Sequence, residues 1–299
     1  MHKTLITGAN GQLGRDLVHE LASRGVKCIA SDIQEKYSGD ESCEYLQLDI
    51  TNPEAVSEAF RSAKPERVIH CAAWTAVDAA EDDANREKVY AVNVTGTENI
   101  ARACAEIDAI MTYISTDYIF DGTGTRAWQP DDTNYSPLNY YGFTKLQGEL
   151  AVKKYLHRFF IVRIAWAFGA NGNNFVRTML KLAQTHDTLR VVNDQIGTPT
   201  YTPDLARLLA DMDSSDKFGI YHATNEGGYI SWYDFACEIF AQAGVNVNVI
   251  PVTTEEYGLS KAKRPYNSRM DKSKLITAGF TPLPDWRDAL RRYLANGTN

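Results

Sequence analysis

Tyr141-Gly142-Phe143-Thr144-Lys145 sets a phenol and an ammonium four residues apart. On a helix, positions i and i+4 share one face. A free phenol has a pKa of ~10, and an adjacent cation favours its ionised form and draws that value toward neutrality. Tyr141 is therefore a candidate general acid for a carbonyl under reduction, with Lys145 its tuning cation. Alone, the pair also reads as a Tyr and a Lys on a helix surface. Upstream, Ser115-Thr116-Asp117-Tyr118 follows the apolar run Ala109–Ser115. A hydroxyl at that strand end can donate a hydrogen bond to the same carbonyl oxygen.

A second constellation stands at the start of the chain. Gly8-Ala9-Asn10-Gly11-Gln12-Leu13-Gly14 follows an apolar run and opens a helical pattern. Gly8 permits the sharp turn, Gly11 lets backbone approach a pyrophosphate, and Gly14 lets helix and strand pack closely. The helix N-terminus adds free N–H groups and a positive dipole end. Asp32 ends the next strand at the distance expected of a ribose-binding carboxylate, which favours NADH because a carboxylate repels a 2′-phosphate. Lys36, four residues on, offsets that repulsion, and the plain alternative is that Asp32 only ends a strand. Asp49 and Ile50, after the third strand, would lie against the adenine. The small Cys71-Ala72-Ala73 strand end would admit the cofactor, with Thr75 just beyond it. In this setting Lys145 also becomes a candidate to hold the nicotinamide ribose.

These residues need a scaffold, and the first half of the chain supplies one. Apolar runs at Lys3–Thr7, Val26–Ser31, Tyr45–Leu48, Arg67–Ala73, Ala109–Ser115 and Phe159–Ala165 alternate with helical patterns at Gly11–Ser23, Pro53–Ala63, Asn93–Glu106 and Tyr141–Tyr155. Such alternation predicts an α/β fold with a doubly wound parallel sheet. Ligands then bind at the carboxyl ends of the strands, where strand order reverses. The second half is less regular. Leu189–Val192 and Gly219–His222 predict short strands, and Pro203–Met212, Ser231–Ala243 and a closing segment from about Pro284 to Leu294 predict helices, with Ser231 an N-cap. The loops 122–138 and 253–267 are long and rich in aromatic and charged residues. This pattern predicts a dinucleotide-binding domain over 1–165, with 189–225 returning to it. A smaller α/β lobe would comprise 166–188 and 226–299.

The bulk composition excludes several classes. Lys and Arg total 31 against 38 Asp and Glu, a net charge of -7, which disfavours nucleic acid and anionic lipid as partners. No apolar run approaches ~18 residues, and the N-terminus lacks a signal-peptide pattern. The five cysteines, Cys28, Cys43, Cys71, Cys104 and Cys237, are widely spaced with no CxxC pair. They read as free buried thiols of a reducing, cytoplasmic compartment. The six histidines form no HExxH or HxxxH pair, so no metal site is expected.

The chain resembles the extended short-chain dehydrogenase/reductases, and within them the dTDP-4-dehydrorhamnose reductases. The resemblance rests on Thr7–Gly14, Cys71–Glu81 (CAAWTAVDAAE), Val92–Ala103, Ile114–Gly122 (ISTDYIFDG), Ser136–Glu149, Arg163–Gly169, Asp194–Tyr201 (DQIGTPTY) and Arg264–Met270 (RPYNSRM), which run end to end. It implies a Rossmann-type fold, NADPH or NADH as cofactor and a dTDP-sugar substrate. Thr116 would tune the carbonyl, Tyr141 donate the proton, and Lys145 hold cofactor and Tyr141. Val77, Asp78, Thr116, Asp117 and Tyr118 would touch the sugar nucleotide, and Trp166 would wall its pocket. Arg264 suits the diphosphate, because a guanidinium pairs well with phosphate oxygens. The plain alternatives are a surface arginine at 264 and a core aromatic at 166. Gln195 and Thr198 would approach the nucleotide. Some relatives bind magnesium through acidic residues at a dimer interface. Asp16 would be the candidate among these, but Pro203 stands near where another is expected.

The implied reaction is NAD(P)H-dependent reduction of dTDP-4-dehydro-L-rhamnose to dTDP-L-rhamnose for surface polysaccharide, by a monomer or homodimer. Rival readings are an epimerase or a reductase for another 4-keto sugar nucleotide. The dehydratases that the chain resembles follow the strand-end threonine with an Asp-Glu pair, and here Tyr118 follows Asp117. A non-catalytic reading is a dinucleotide-binding regulatory subunit like that of methionine adenosyltransferase, against which the intact Tyr141/Lys145 pair argues.

Overall fold

Strand β1 (Thr4–Thr7) is buried at all four residues, which a strand achieves in the middle of a sheet covered on both faces. In the computed structural model, which describes residues 2–39 and 43–296, that is its position. After β1 come α1 (Gln12–Ser23), β2 (Cys28–Asp32), β3 (Glu44–Gln47), α2 (Pro53–Ala63) and β4 (Arg67–His70). Then follow α3 (Asp83–Tyr90), α4 (Thr97–Glu106), β5 (Ile110–Thr116), α5 (Tyr140–Tyr155) and β6 (Phe159–Ile164). The large sheet has seven strands in the order β11-β6-β5-β4-β1-β2-β3, where β11 is Gly219–His222. Every pairing in it is parallel. Chain order reverses between β1 and β4, so their carboxyl ends frame a crevice.

Helices cover both faces. Leu17, Val18 and Leu21 of α1 pack with Leu205, Leu208 and Leu209 of α7 (Thr202–Asp213) on one side. Val56 and Phe60 of α2, Ile100 and Cys104 of α4, and Val152 of α5 form the other core. Each such aliphatic side chain contributes roughly 1.5–3 kcal/mol by leaving water. Local signals set the helix ends. The Asn52 side chain accepts from the Ala55 N–H with Pro53 in the first turn of α2, and the Asn139 side chain accepts from the Gly142 N–H at the start of α5.

The helix expected from Asn93 starts earlier, at Asp83. Its first part, DANREKVY, buries Val89 alone, so no apolar stripe marked it. Between α3 and α4 the segment Ala91–Gly96 widens to a π-helix. There the buried Asn93 side chain accepts from the Trp74 N–H at 2.8 Å and donates to the Trp74 carbonyl at 3.2 Å and the Thr144 hydroxyl at 3.0 Å. Widened turns of this kind concentrate at functional sites.

The remaining elements are β7 (Ala167–Phe168), α6 (Phe175–Leu182), β8 (Thr188–Val192), β9 (Ile196–Gly197), β10 (Thr200–Tyr201), β12 (Ile230–Ser231), α8 (Trp232–Ala243), β13 (Asn248–Val252), α9 (Thr254–Tyr257), α10 (Ser273–Thr277) and α11 (Trp286–Ala295). Apart from α10, whose Leu275 packs into the first core, these elements surround a separate core of Phe168, Val176, Tyr201, Phe235, Trp286 and Tyr293. Ser231 does cap α8, in a capping box with Asp234. One expectation is corrected. Residues 189–192 do not return to the large sheet. They form β8, which pairs with β13 and turns Leu189 and Val191 into the smaller core. The return begins later, with α7 and β11. None of the five cysteines is in a disulfide, and only Cys28 and Cys104 are buried, because Cys43, Cys71 and Cys237 sit at element ends or on a helix flank.

A buried ion pair ties the catalytic-motif helix to the sheet. Glu149 of α5 and Arg163 of β6 are both fully buried. Arg163 donates to the two carboxylate oxygens at 2.9 Å each, to the Pro130 carbonyl at 3.0 Å and to the Tyr135 hydroxyl at 3.0 Å. The last two partners fasten the 122–138 loop beside the site. Burial alone would raise the Glu149 carboxyl, and Arg163 overrides it, leaving the group below its usual range. Removing one partner of such a pair strands a charge. Glu149→Ala is expected to cost about 3–5 kcal/mol, read as a lowered urea midpoint. Adding Arg163→Met should recover most of the loss, and no recovery would show that packing rather than charge holds the site.

Candidate active site

The glycine turn leaves no space for side chains. Gly8 has φ +69°, and a Cβ on it would lie 2.6 Å from the Ala72 nitrogen. A Cβ on Gly14 would lie 2.1 Å from the Gly8 carbonyl oxygen. The backbone of the β1–α1 turn therefore touches β4 on one side and its own helix on the other. Beneath it, the Thr7 hydroxyl lies 2.6 Å from His70 Nδ1, and His70 Nε2 lies 3.1 Å from the Thr97 hydroxyl. Burial first, then the Lys145 charge, pulls His70 down to about 3, so it is a neutral strut between β1, β4 and α4. Sequence reading missed this strut, because a lone histidine at a strand end carries no pattern.

Two adjoining cavities open from this turn. One, of about 300 Å³, is lined by Gly8, Asn10, Gly11, Asp32, Asp49, Ile50, Ala72 and Ala73. Asp32 stands at its edge, with its carboxylate accepting from the Asn10 N–H at 3.0 Å and the Ile33 N–H at 2.8 Å. The other, of about 810 Å³, shares Gly8, Gly11, Cys71 and Ala73, and adds Gln12, Leu13, Gly14 and Thr75. Its far end holds Val77, Asp78, Thr116, Asp117, Tyr118, Tyr141, Lys145, Trp166 and Arg264. The candidate cofactor and substrate residues thus line two adjoining cavities that share the glycine turn and the end of β4. The bare backbone of the turn and the small residues at the end of β4 fit a dinucleotide lying across the crevice.

At the chemical end, α5 projects Tyr141 and Lys145 toward the end of β5. Lys145 is buried, with Nζ 4.1 Å from the centre of the Tyr113 ring. Burial pulls its ammonium down to about 7, against the nearby Glu149 and Cys71, which raise it. Tyr141 packs edge-on to Tyr118 with ring centres 5.8 Å apart. The expectation that Lys145 draws the phenol toward neutrality is corrected. Burial, then the Asp117 charge, pushes Tyr141 above its ordinary value, with a hydrogen bond from Thr116 opposing. The phenol is held protonated, the form a proton donor needs. Thr116 donates to Asp117 Oδ1 at 3.0 Å, and its oxygen accepts from the Tyr118 N–H at 3.2 Å. Burial pushes Asp117 up to about 6, against hydrogen bonds from Ser268 and Thr116.

On the opposite wall, Trp166 has a left-handed backbone, φ +51°. Its ring stacks on Trp232 at 3.8 Å between centres, and Phe175 packs on Trp232 in turn. Trp232 and Phe175 line the cavity and were not anticipated. Trp232 follows the capping Ser231 directly, where a helix start was legible but its exposed face was not. Gln195 and Thr198 do not reach the cavity. Gln195 donates to the Thr254 hydroxyl at 3.0 Å and Thr198 to the Gly228 carbonyl at 2.9 Å. Their segment instead supports Trp166: the Thr200 N–H donates to the Trp166 carbonyl at 3.2 Å, and the Thr200 hydroxyl to the Ala165 carbonyl at 2.6 Å. Arg264 is paired to Asp78 at 2.6 Å and 3.1 Å.

Comparison with known proteins agrees with this geometry. Residues 1–299 match the family described as RmlD substrate binding domain. The chain is 39% identical over 308 residues to the dTDP-4-dehydrorhamnose reductase of Aggregatibacter actinomycetemcomitans, covering 99% of each. The chain belongs to the dTDP-4-dehydrorhamnose reductase family. It is also 40% identical over 294 residues to the spore coat polysaccharide biosynthesis protein SpsK of Bacillus subtilis, covering 98% of this chain and 97% of that one. Among solved structures, the Bacillus anthracis dTDP-4-dehydrorhamnose reductase in complex with NADP matches with a TM-score of 0.89 at 38% identity, covering 99% of each chain. In this reductase-family chain, Pro203 occupies the first turn of α7. Among the described residues, no group of three or more His, Cys, Asp or Glu side chains gathers to hold a metal ion.

The Asp117 carboxyl gives a pH signature. Its value in the folded chain, about 6, exceeds its ordinary 3.8. The native state therefore keeps a proton that the unfolded chain has released, and stability falls as pH rises through that interval. Asp117→Asn should remove this dependence. The gap in urea midpoint between variant and wild type should widen in the variant's favour from pH 4 to pH 7, and a constant gap would refute the assignment.

Proposed function

We propose that the protein reduces the C4 carbonyl of dTDP-4-dehydro-L-rhamnose with NADPH or NADH, giving dTDP-L-rhamnose for surface polysaccharide. The observation that carries this reading is that Tyr141, Thr116 and Lys145 meet at the end of a cleft that begins at the glycine turn. A reduced nicotinamide, when bound, supplies the hydride for C4. Tyr141 donates its proton to the carbonyl oxygen, and the Thr116 hydroxyl donates a hydrogen bond to the same oxygen as charge develops. Lys145 binds the nicotinamide ribose hydroxyls and stands beside the phenol. Trp166 and Val77 close the apolar sides of the sugar, Asp78, Asp117 and Tyr118 line its polar side, and Arg264 meets the diphosphate. Asn10, Gly11, Gln12, Leu13 and Gly14 present backbone to the cofactor diphosphate, Asp32 faces the adenosine ribose, and Asp49 and Ile50 flank the adenine. Ala72, Ala73 and Thr75 leave room for the chain between.

The relatives' names support the substrate, and SpsK supports the polysaccharide destination. Among the described residues, no helix is long and apolar enough to cross a membrane. The reading is of a cytoplasmic enzyme, monomer or homodimer, acting on a free sugar nucleotide.

The test follows absorbance at 340 nm with dTDP-4-dehydro-L-rhamnose made in situ, with each reduced cofactor. Wild type should oxidise cofactor only when the sugar is present. Tyr141→Phe should lose about 10²–10⁴-fold in rate, the usual worth of a positioned acid, while still binding cofactor. A variant as fast as wild type would remove Tyr141 from the chemistry, and no turnover by wild type would remove the substrate.

A further inference from the structure

Two cationic side chains line the larger cavity among the described residues, Lys145 and Arg264. Lys145 is buried at the chemical end. Arg264 is less buried, with its side chain 22% exposed. Its guanidinium is already engaged: Nη2 donates to Asp78 Oδ2 at 2.6 Å and Nη1 to Asp78 Oδ1 at 3.1 Å. That two-pronged geometry is the one a guanidinium also makes with phosphate oxygens. The Arg264 backbone is fixed by a separate contact. The Asn139 side chain, which caps α5 through the Gly142 N–H, also donates to the Lys263 carbonyl at 2.8 Å. The guanidinium is thereby placed in register with the helix that carries Tyr141.

We propose that Asp78 is an internal counter-anion, holding Arg264 in the pose that the substrate's diphosphate requires, and that diphosphate binding exchanges the carboxylate for a phosphate. The proposal rests on the sugar-nucleotide reading above. The energetics favour exchange. The Asp78 side chain is 47% exposed, so it can turn into water at little cost. The pair is open to water on its Asp78 side, and a diphosphate brings more negative charge to the same fork. Leaving Asp78 in place would set two anions against one guanidinium. The local fold tolerates the exchange, because Lys261 pairs with Asp82 and the Asn139 side chain holds the Lys263 carbonyl, contacts that do not involve Asp78. The 261–264 segment stays fastened after Arg264 changes partner. Asp78 thus keeps the cationic site neutral and ordered until the right anion arrives, and it penalises nucleosides that lack phosphates only by leaving the pair intact.

The experiment measures dTDP and thymidine binding by titration calorimetry to the NADP⁺-loaded enzyme, in wild type, Asp78→Asn, Arg264→Gln and the double variant. An asparagine oxygen still accepts from the Ala262 N–H, so the segment stays attached. Asp78→Asn should bind dTDP roughly fivefold tighter than wild type, the worth of an exposed competing pair, and thymidine no tighter. In the Arg264→Gln background the gain should vanish, which isolates the pairwise effect. Equal or weaker dTDP binding by Asp78→Asn, or an equal gain without Arg264, would overturn the exchange while leaving the substrate reading intact. Failure of wild type to bind dTDP would remove the reading and the exchange with it.

Discussion

Backbone has to touch backbone where β1 hands over to α1, and the rest of the site hangs on that contact. With a would-be Cβ at Gly14 only 2.1 Å from the Gly8 carbonyl oxygen, the helix starts flush against the strand. Its first N–H groups then point into the crevice between β1 and β4 rather than over the sheet edge. The two neighbouring strands must agree with this placement. Thr7, His70 and Thr97 enforce that agreement by a chain of hydroxyl and imidazole contacts that joins β1, β4 and α4 directly under the turn. Because burial keeps His70 neutral, the strut carries no charge that would compete with the positive end of α1 for an anion.

Charge inside the larger cavity is arranged on the same economy. Burial lowers Lys145 and raises Asp117 and Tyr141, so each group is biased toward its neutral form. That leaves the phenol protonated and ready to donate. It also makes the Lys145 ammonium responsive, since a group lowered to about 7 gains charge when negative charge comes near it. Glu149, one helical turn beyond Lys145 and kept ionised by Arg163, is the fixed negative charge against which this bias is set. The ion pair therefore serves two levels at once: it joins α5 to β6, and it holds the field around Lys145 steady.

The large sheet was legible because parallel strands buried on both faces read as apolar runs, and the glycine turn because its steric demand admits one residue type. Tyr141, Lys145 and Thr116 were legible because helix and strand geometry convert their spacing into proximity. What was not legible depended on contacts far apart in sequence. The polar helix α3 has no stripe to announce it. β8 looked like a strand of the large sheet, but which sheet it joins is decided by β13, over fifty residues away. The Tyr141 environment was misjudged from the Tyr–Lys spacing alone, because burial and the neighbouring Asp117 outweigh a cation whose Nζ lies over the Tyr113 ring. Gln195 and Thr198 sat in a recognisable segment, yet the residues that touch Trp166 there are their neighbours Gly197 and Thr200.

That support explains an otherwise costly feature. A tryptophan at φ +51° holds a conformation that costs on the order of 1–3 kcal/mol and persists only where its surroundings over-determine it. Here they do. Thr200 donates to the carbonyls of Ala165 and Trp166, Gly197 lies so close to the indole that a Cβ there would come within 3.0 Å of it, and Trp232 stacks on its other side. A relaxed backbone at Trp166 would swing the ring away from Trp232 and out of the wall that faces Tyr141. The strain thus has a geometrical purpose. It holds a flat apolar surface in the wall of the cavity that Tyr141 also lines. Its ring both lines the larger cavity and packs against the smaller core, so Trp166 joins the cavity wall to that core.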